Sequence, residues 1–430
     1  MLGIAIGLVL LMFLAYRGYS IIWVAPLCAL VVAATGGLAL LPAYRETYMA
    51  GFVSFTQSWF PVFMLGAIFG ALMDYTGAAK SIAKFLTKVL GPKRAILSVV
   101  VGCAVLTYGG ISLFVVVFAM YPLALDLFRE ANITRKIIPG TIALGSFTFT
   151  MTAVPGTPQT QNLIPMKYFH TTPTAGPIMG IAAAAFIFGL GYAYLLWREK
   201  SFRAKGEGFI EPEKKGNAEE NLSDKSLPNP FISFLPLFTV ILTLNRFEWD
   251  IVVALLAGII MAMITNINQY KGFTKSLSSG AAASITAIIN TSAAVGFGSV
   301  VKAVPGFQKL TDMLLNIKGS PLISEAVAVN VLAGATGSAS GGMGIALEAL
   351  GEKYYQLAIE KGISPEAFHR VASLSSGGLD TLPHNGAVLT LLAVTGMTHK
   401  DSYIDIAVTS LLLPVLSSIP AIILASFGIY

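Results

Sequence analysis

Four polar breaks interrupt the apolar sequence of this chain, and their residue types are those that hold small ions without fixed charge. The first is Thr107-Tyr108-Gly109-Gly110-Ile111-Ser112, and the second Val154-Pro155-Gly156-Thr157-Pro158-Gln159-Thr160, running on to Asn162. The third is Thr336-Gly337-Ser338-Ala339-Ser340-Gly341-Gly342, and the fourth Thr381-Leu382-Pro383-His384-Asn385-Gly386-Ala387. Glycine lets the backbone approach a ligand closely, and hydroxyls and amides supply neutral donors and acceptors. A helix that restarts after a break presents unpaired N–H groups and a partial positive charge, a seat for a carboxylate. Unpaired carbonyls at the other end suit Na⁺.

The candidate substrate-binding residues are therefore Thr107, Tyr108, Gly109, Gly110 and Ser112 in the first break, and Thr157, Gln159, Thr160 and Asn162 in the second. In the other two breaks they are Ser338, Ser340, Gly341 and Gly342, then Thr381, His384 and Asn385. No arginine or lysine lies near any break, which predicts a small substrate with few charges. Asp380 and His384 are the proton-coupling candidates: ionisable groups inside a membrane are costly and usually functional, and a histidine titrates near pH 6.5. The competing role has Asp380 capping a half-helix and His384 bonding backbone. Asp74, Asp126, Glu325 and Glu348, with His170, His369 and His399, fall at segment ends and read as interfacial.

Enzymatic chemistry fits poorly. Gly337-Ser338-Ala339-Ser340-Gly341 places Ala339 where a nucleophile elbow needs serine. Gly377-Gly378-Leu379-Asp380 misses the glycine-x-glycine-aspartate of intramembrane proteases by one position. There is no HExxH, P-loop or CxxC, so neither a metal nor a cofactor is expected, and the coupling ion is read as H⁺ with Na⁺ as the alternative.

The elements that must carry these breaks follow from composition. Of 430 residues 55% are apolar and 12% charged, with mean hydropathy +0.73, against roughly 25% charge in ordinary soluble domains. Apolar runs near the length of a membrane-crossing helix recur throughout, so the lipid bilayer is the expected environment. The net charge of +6 comes from residues at helix ends and forms no nucleic-acid patch. Cys28 and Cys103 sit in apolar segments, which argues against a disulfide framework. The first apolar segment lacks a basic flank and a cleavage site and reads as a retained helix.

Spans are predicted near 2–16, 20–41, 57–76 and 174–197, then near 231–244, 249–267, 279–301 and 403–428. Lys80, Lys84 and Lys88 recur at helical spacing among apolar residues, a helix lying in the interface. Residues 95–129 are interrupted at the first break and flanked on both sides by basic residues, which places both ends in the cytoplasm and makes a re-entrant hairpin. Residues 137–169 follow as a helix broken near Pro155. Residues 198–230 carry seven basic and seven acidic residues and read as a disordered cytoplasmic linker. The second half repeats the plan with an amphipathic stretch 303–318, a hairpin 320–351 and a broken helix 365–397. Gly77 aligns with Gly306, Pro155 with Pro383 and Glu130 with Glu360, at offsets of 229, 228 and 230. The expected fold is an all-α polytopic membrane protein of two inverted repeats, 1–197 and 231–430. Each repeat has about five transmembrane helices, one re-entrant hairpin and one broken helix. Paired breaks in corresponding halves point to a transporter's binding site.

The hairpin Thr107-Tyr108-Gly109-Gly110-Ile111-Ser112, then Pro155-Gly156-Thr157-Pro158, then Leu382-Pro383-His384-Asn385-Gly386-Ala387 resemble the gluconate permease family of the ion transporter superfamily, over essentially the whole chain. The resemblance implies an inner-membrane, usually proton-driven symporter of sugar acids or short hydroxy-acids. It also implies a homodimer whose transport domain moves like an elevator against a scaffold. Carried over, Gly109, Gly110, Thr157, Ser340, Gly341, His384 and Asn385 would line the substrate site. The acidic residue such members carry at the position of Gly109, and the histidine before that of Pro155-Gly156, are missing here. That departure favours a small hydroxy-monocarboxylate such as 3-hydroxybutyrate, with gluconate as the alternative.

Overall fold

The computed structural model describes residues 2–17, 19–212, 227–315, 317, 319–383 and 385–430, and among them every regular element is a helix. Four helices are long and apolar enough to cross a bilayer: Leu40–Tyr75, Pro177–Ala204, Ile267–Ala303 and His399–Ser426. The first, third and fourth start 17, 12 and 4 residues before the spans near 57–76, 279–301 and 403–428 that hydropathy assigns, because stretches carrying charged residues such as Arg45, Glu46, Lys271 and Lys275 continue the same helices. By contrast, Leu2–Tyr16, Ile21–Thr35 and Ile251–Thr265 each hold 15 residues. At 1.5 Å per residue that is about 22 Å, short of a hydrocarbon core of about 30 Å. Their ends are local: Ser20 and Asp250 cap the starts of the latter two, and Gly36-Gly37 stops the second, with Gly37 at φ 79°.

Leu40–Tyr75 and Ile267–Ala303 pack along much of their length and form the centre of the molecule. The contact is close because small residues face across it. A Cβ on Gly280 would lie 2.6 Å from the Ile68 backbone, and one on Gly51 2.0 Å from the Ser299 hydroxyl. Tyr48 donates to the Ala293 carbonyl at 3.1 Å, and Thr56 and Ser292 share a hydrogen bond of 2.8 Å.

The stretch expected to lie in the interface forms the helix Ala78–Leu90 and meets the next helical stretch at 94°. Its Ile82 and Ala83 face is buried while Lys84 and Lys88 are exposed. The first interrupted segment folds as Ala95–Tyr108 and Leu113–Glu130, two helices packed on each other about residues 109–112. Gly110, at φ 91°, makes that turn. The second folds as Pro321–Thr336 and Ala339–Lys361. Here Gly342 lets the arms touch, since a Cβ would sit 2.1 Å from the Ala333 backbone.

Both broken helices form as breaks. One runs Ile138–Ser146 and resumes at Thr160–Phe169; the other runs Pro365–Ser376 and resumes at Gly386–Thr395. The stretch expected to be linker from residue 198 departs from that reading at its start. Pro177–Ala204 stays helical because Arg198 is tied to buried Asp405, with Nε on Oδ1 at 2.5 Å, and Tyr194 donates to the same oxygen at 2.8 Å. Further on, Glu207 pairs with Lys136 and Glu211 with Arg129. At the other end Asn229 caps the helix Pro230–Asn245, and residues 213–226 of the expected linker lie outside the described residues.

Candidate functional site

The tip of the second hairpin and the break in the second broken helix meet in a cavity of about 450 Å³. The hairpin contributes Thr336, Ser338 and Ser340, the break Asp380, Thr381 and Asn385, and helix Ile267–Ala303 Asn290 and Thr291. Gln161, Phe147 and Met151 close it from the first broken helix.

Two helices begin at this cavity. Ser338 caps Ala339–Lys361 by accepting from the Gly341 N–H at 3.2 Å. Asn385 caps Gly386–Thr395 by accepting from Ala387 and Val388 at 2.7 and 3.0 Å. These caps leave Ala339, Ser340 and Gly386, which carry the remaining first-turn N–H groups, on the cavity wall. Two helix N-termini at one cavity make a seat for a single carboxylate. The Asn385 amide also donates to the Gly337 carbonyl at 2.9 Å, tying break to tip. Thr381 is turned away from any ligand, donating to the Ser410 carbonyl at 2.7 Å. That acceptor lies in the π-helical turn Val408–Leu412, where the helical ladder is displaced. Asp380 is 5% exposed, and its Oδ1 is buried without a hydrogen-bond partner.

In the first half the polar groups of tip and break are covered, and the cavity of about 490 Å³ beside Tyr108 is apolar. Gln159 donates to the carbonyls of Thr107 and Ile111 at 2.7 and 3.3 Å, and Tyr108 donates to the Pro155 carbonyl at 3.0 Å. Leu237 covers Gly109, and Pro158 covers Gly110. The hydroxyls of Thr107 and Thr157 are buried in this clasp with no partner. Ser112 begins its helix without a side-chain cap, and the Thr160 hydroxyl donates to the Gln161 amide oxygen at 3.2 Å.

A cation does lie beside the breaks, contrary to the sequence reading. Arg370 is fully buried and crosses from the second broken helix to the first. Its Nε and Nη2 donate to the Ala175 carbonyl, at 3.0 and 2.5 Å. Its Nη1 donates to Asn162 Oδ1 at 3.0 Å and the Thr152 carbonyl at 3.3 Å. Asn162 in turn donates to the carbonyls of Thr157 and Pro173. The guanidinium was hidden from the sequence because it sits eleven residues before the fourth break and reaches a different helix. Its neighbour His369 is corrected likewise: it is fully buried, bonded to Thr171 at 2.6 Å and to Asn162 at 3.3 Å. Glu325 too is fully buried rather than interfacial.

Of the candidates, the cavity gathers Ser338, Ser340, Asp380, Thr381 and Asn385. Thr107, Tyr108, Gly109, Gly110, Thr157 and Gln159 belong to the closed first-half clasp, and Asn162 to the Arg370 cluster. Gly341 is a capped amide, and Gly342 serves hairpin packing. His384 lies outside the described residues, so the Asp380–His384 pairing is not placed. Sequence reading passed over Gln161, Asn290 and Thr291. The last two had a signal, a polar pair inside the apolar run Ala287-Ile288-Ile289-Asn290-Thr291.

Residues 1–246 match the family model described as GntP family permease, and residues 227–429 match one described as Na⁺/H⁺ antiporter family. An uncharacterized transporter of Bacillus subtilis, YxjC, is 44% identical, the match covering 95% of each chain. An uncharacterized transporter of Haemophilus influenzae is 27% identical over 52% of each.

Proposed function

The chain belongs to the GntP permease family, a family of transporters, and from that premise we propose that it is a secondary active symporter of a small hydroxy-monocarboxylate, driven by protons across the cytoplasmic membrane. One observation carries this reading: two helix N-termini, those of Ala339–Lys361 and Gly386–Thr395, open on one cavity whose polar walls hold no lysine or arginine. Each N-terminus stabilises an anion by roughly 0.3–1 kcal/mol, up to about 2 in part-buried geometry. Such a seat balances one carboxylate rather than two. The Ser338, Ser340, Asn290 and Thr291 side chains supply the partners a substrate hydroxyl needs. Arg370 is not on the cavity wall and offers a substrate few donors, since four of its N–H···O bonds already go to Ala175, Thr152 and Asn162.

Asp380 is the proton carrier in this reading. Its carboxyl borders the cavity, and one oxygen lacks a donor. Protonation beside a carboxylate substrate removes like-charge repulsion, so both enter together. The two halves act as inverted repeats of a homodimeric, elevator-type carrier, the hairpins and broken helices moving as one body held by Arg370.

Purified protein in proteoliposomes tests this. Labelled 3-hydroxybutyrate should accumulate under an imposed inward proton gradient and collapse with a protonophore. Gluconate competing better than 3-hydroxybutyrate would replace the substrate assignment. A second reading, Na⁺ coupling, is favoured by the match of residues 227–429 to the Na⁺/H⁺ antiporter family. Accumulation that follows a Na⁺ gradient and ignores pH would select it.

A further inference from the structure

Glu325 is a carboxyl with no partner. It lies in Pro321–Thr336, the first arm of the second hairpin, fully buried, and neither carboxyl oxygen has a hydrogen bond. It makes no ion pair among the described residues, and the charges near it are absent or engaged elsewhere. The facing arm offers Tyr354, whose hydroxyl is bonded to Ser324 at 2.9 Å; its other ionisable residues are exposed or half-exposed. On Pro365–Ser376, Glu366 accepts from Gly176, while His369 and Arg370 bond to the first half. On Gly306–Leu315, Lys309 and Asp312 are exposed. Asp380 is the acid on the Leu379–Thr381 turn. Leu2–Tyr16 and Leu413–Ser426, also packed on this arm, carry no charged residue.

An ionised carboxylate so placed loses its hydration with nothing in return, and no cation among the described residues is there to offset it. A sodium ion would need more oxygens than two bare ones, and the nearby Ser324 and Tyr354 hydroxyls are already bonded to each other. A single proton removes the charge. Intramembrane acids without a structural partner are functional by default. We propose that Glu325 is a second proton-binding site, distinct from the cavity acid Asp380, which holds a proton in this conformation and exchanges it during the transport cycle. The site rests on the proton-symport reading for its role in transport, and on burial alone for its occupancy.

Infrared spectroscopy of the purified protein at neutral pH separates the two. The carbonyl band of a protonated, unbonded carboxyl should be present in the wild type, persist in Asp380→Asn, lose the Glu325 contribution in the difference spectrum of Glu325→Gln against the wild type, and shift in Glu325→Asp. In proteoliposomes, Glu325→Gln should lose at least tenfold in gradient-driven accumulation of labelled 3-hydroxybutyrate while its gradient-free counterflow stays within twofold. Absence of the Glu325 contribution overturns the site, and so does a Glu325→Gln protein that accumulates like the wild type. Should the wild type show the band yet concentrate 3-hydroxybutyrate only with Na⁺, the proton-symport reading falls and the exchange of Glu325 with it, while its occupancy stands.

Discussion

The two hairpin tips are held by the same device and yet end in opposite conditions. In each half an amide at the residue where the broken helix resumes, Gln159 or Asn385, donates to a carbonyl of the hairpin tip. In the first half the clasp is sealed by Leu237 and Pro158 and traps the Thr107 and Thr157 hydroxyls without partners. In the second half the tip borders a cavity of about 450 Å³. Composition does not explain this, since both tips are built of glycine, serine and threonine. Packing does: helix Pro230–Asn245 lies over the first tip, with Asn245 donating to the Gly156 carbonyl, whereas the second faces polar Asn290 and Thr291.

The largest expected effect breaks the frame common to both halves. Arg370→Met strands the Ala175 carbonyl, leaves the Thr152 carbonyl only Ser373 and Asn162 Oδ1 only His369, and should cost about 3 kcal/mol, read as lost thermal stability in detergent together with lost uptake. Asp380→Asn comes next: it should abolish gradient-driven accumulation and spare counterflow, and unchanged accumulation would remove Asp380 from coupling. The comparison itself is sharpened by cysteine labelling in a background lacking Cys28 and Cys103. A cysteine at Ser338 should react at least tenfold faster with a small thiol reagent than one at Thr157, and equal rates would erase the asymmetry. Asn385→Ala loses two caps and a tip bond and should destabilise by about 1–2 kcal/mol. Gln159→Ala loses tip bonds alone, about 1 kcal/mol.

The smallest effect lies outside the membrane. Hydrogen bonding from Arg129 holds the Glu211 carboxyl below its ordinary value. A depressed acid contributes above its unfolded value and loses that contribution as pH falls through the folded one. Proteolysis near residues 205–212 should therefore be unchanged at neutral pH and quicken only below about pH 4. Glu211→Gln should raise the neutral-pH rate slightly.

The sequence by itself determined a great deal here. Hydropathy and the punctuation of glycine and proline are local properties, so the all-helical membrane character, the two interrupted segments and the two broken helices were legible, although the second interrupted segment runs on to Lys361, ten residues past its expected end. The tip and break residues were legible as a class because polar backbone inside a bilayer must be shielded by something. Which tip is closed was decided by Leu237 and Asn245, some 80 to 130 residues from what they cover. The reach of Arg370 to Ala175, 195 residues away, likewise has no local signature. Nor does the bare carboxyl of Glu325, which one turn of helix would have left at an interface had other helices not buried it. Spacing along a chain fixes which residues share a helix; only the packing of helices fixes which of them meet, and whether a polar group finds a partner there.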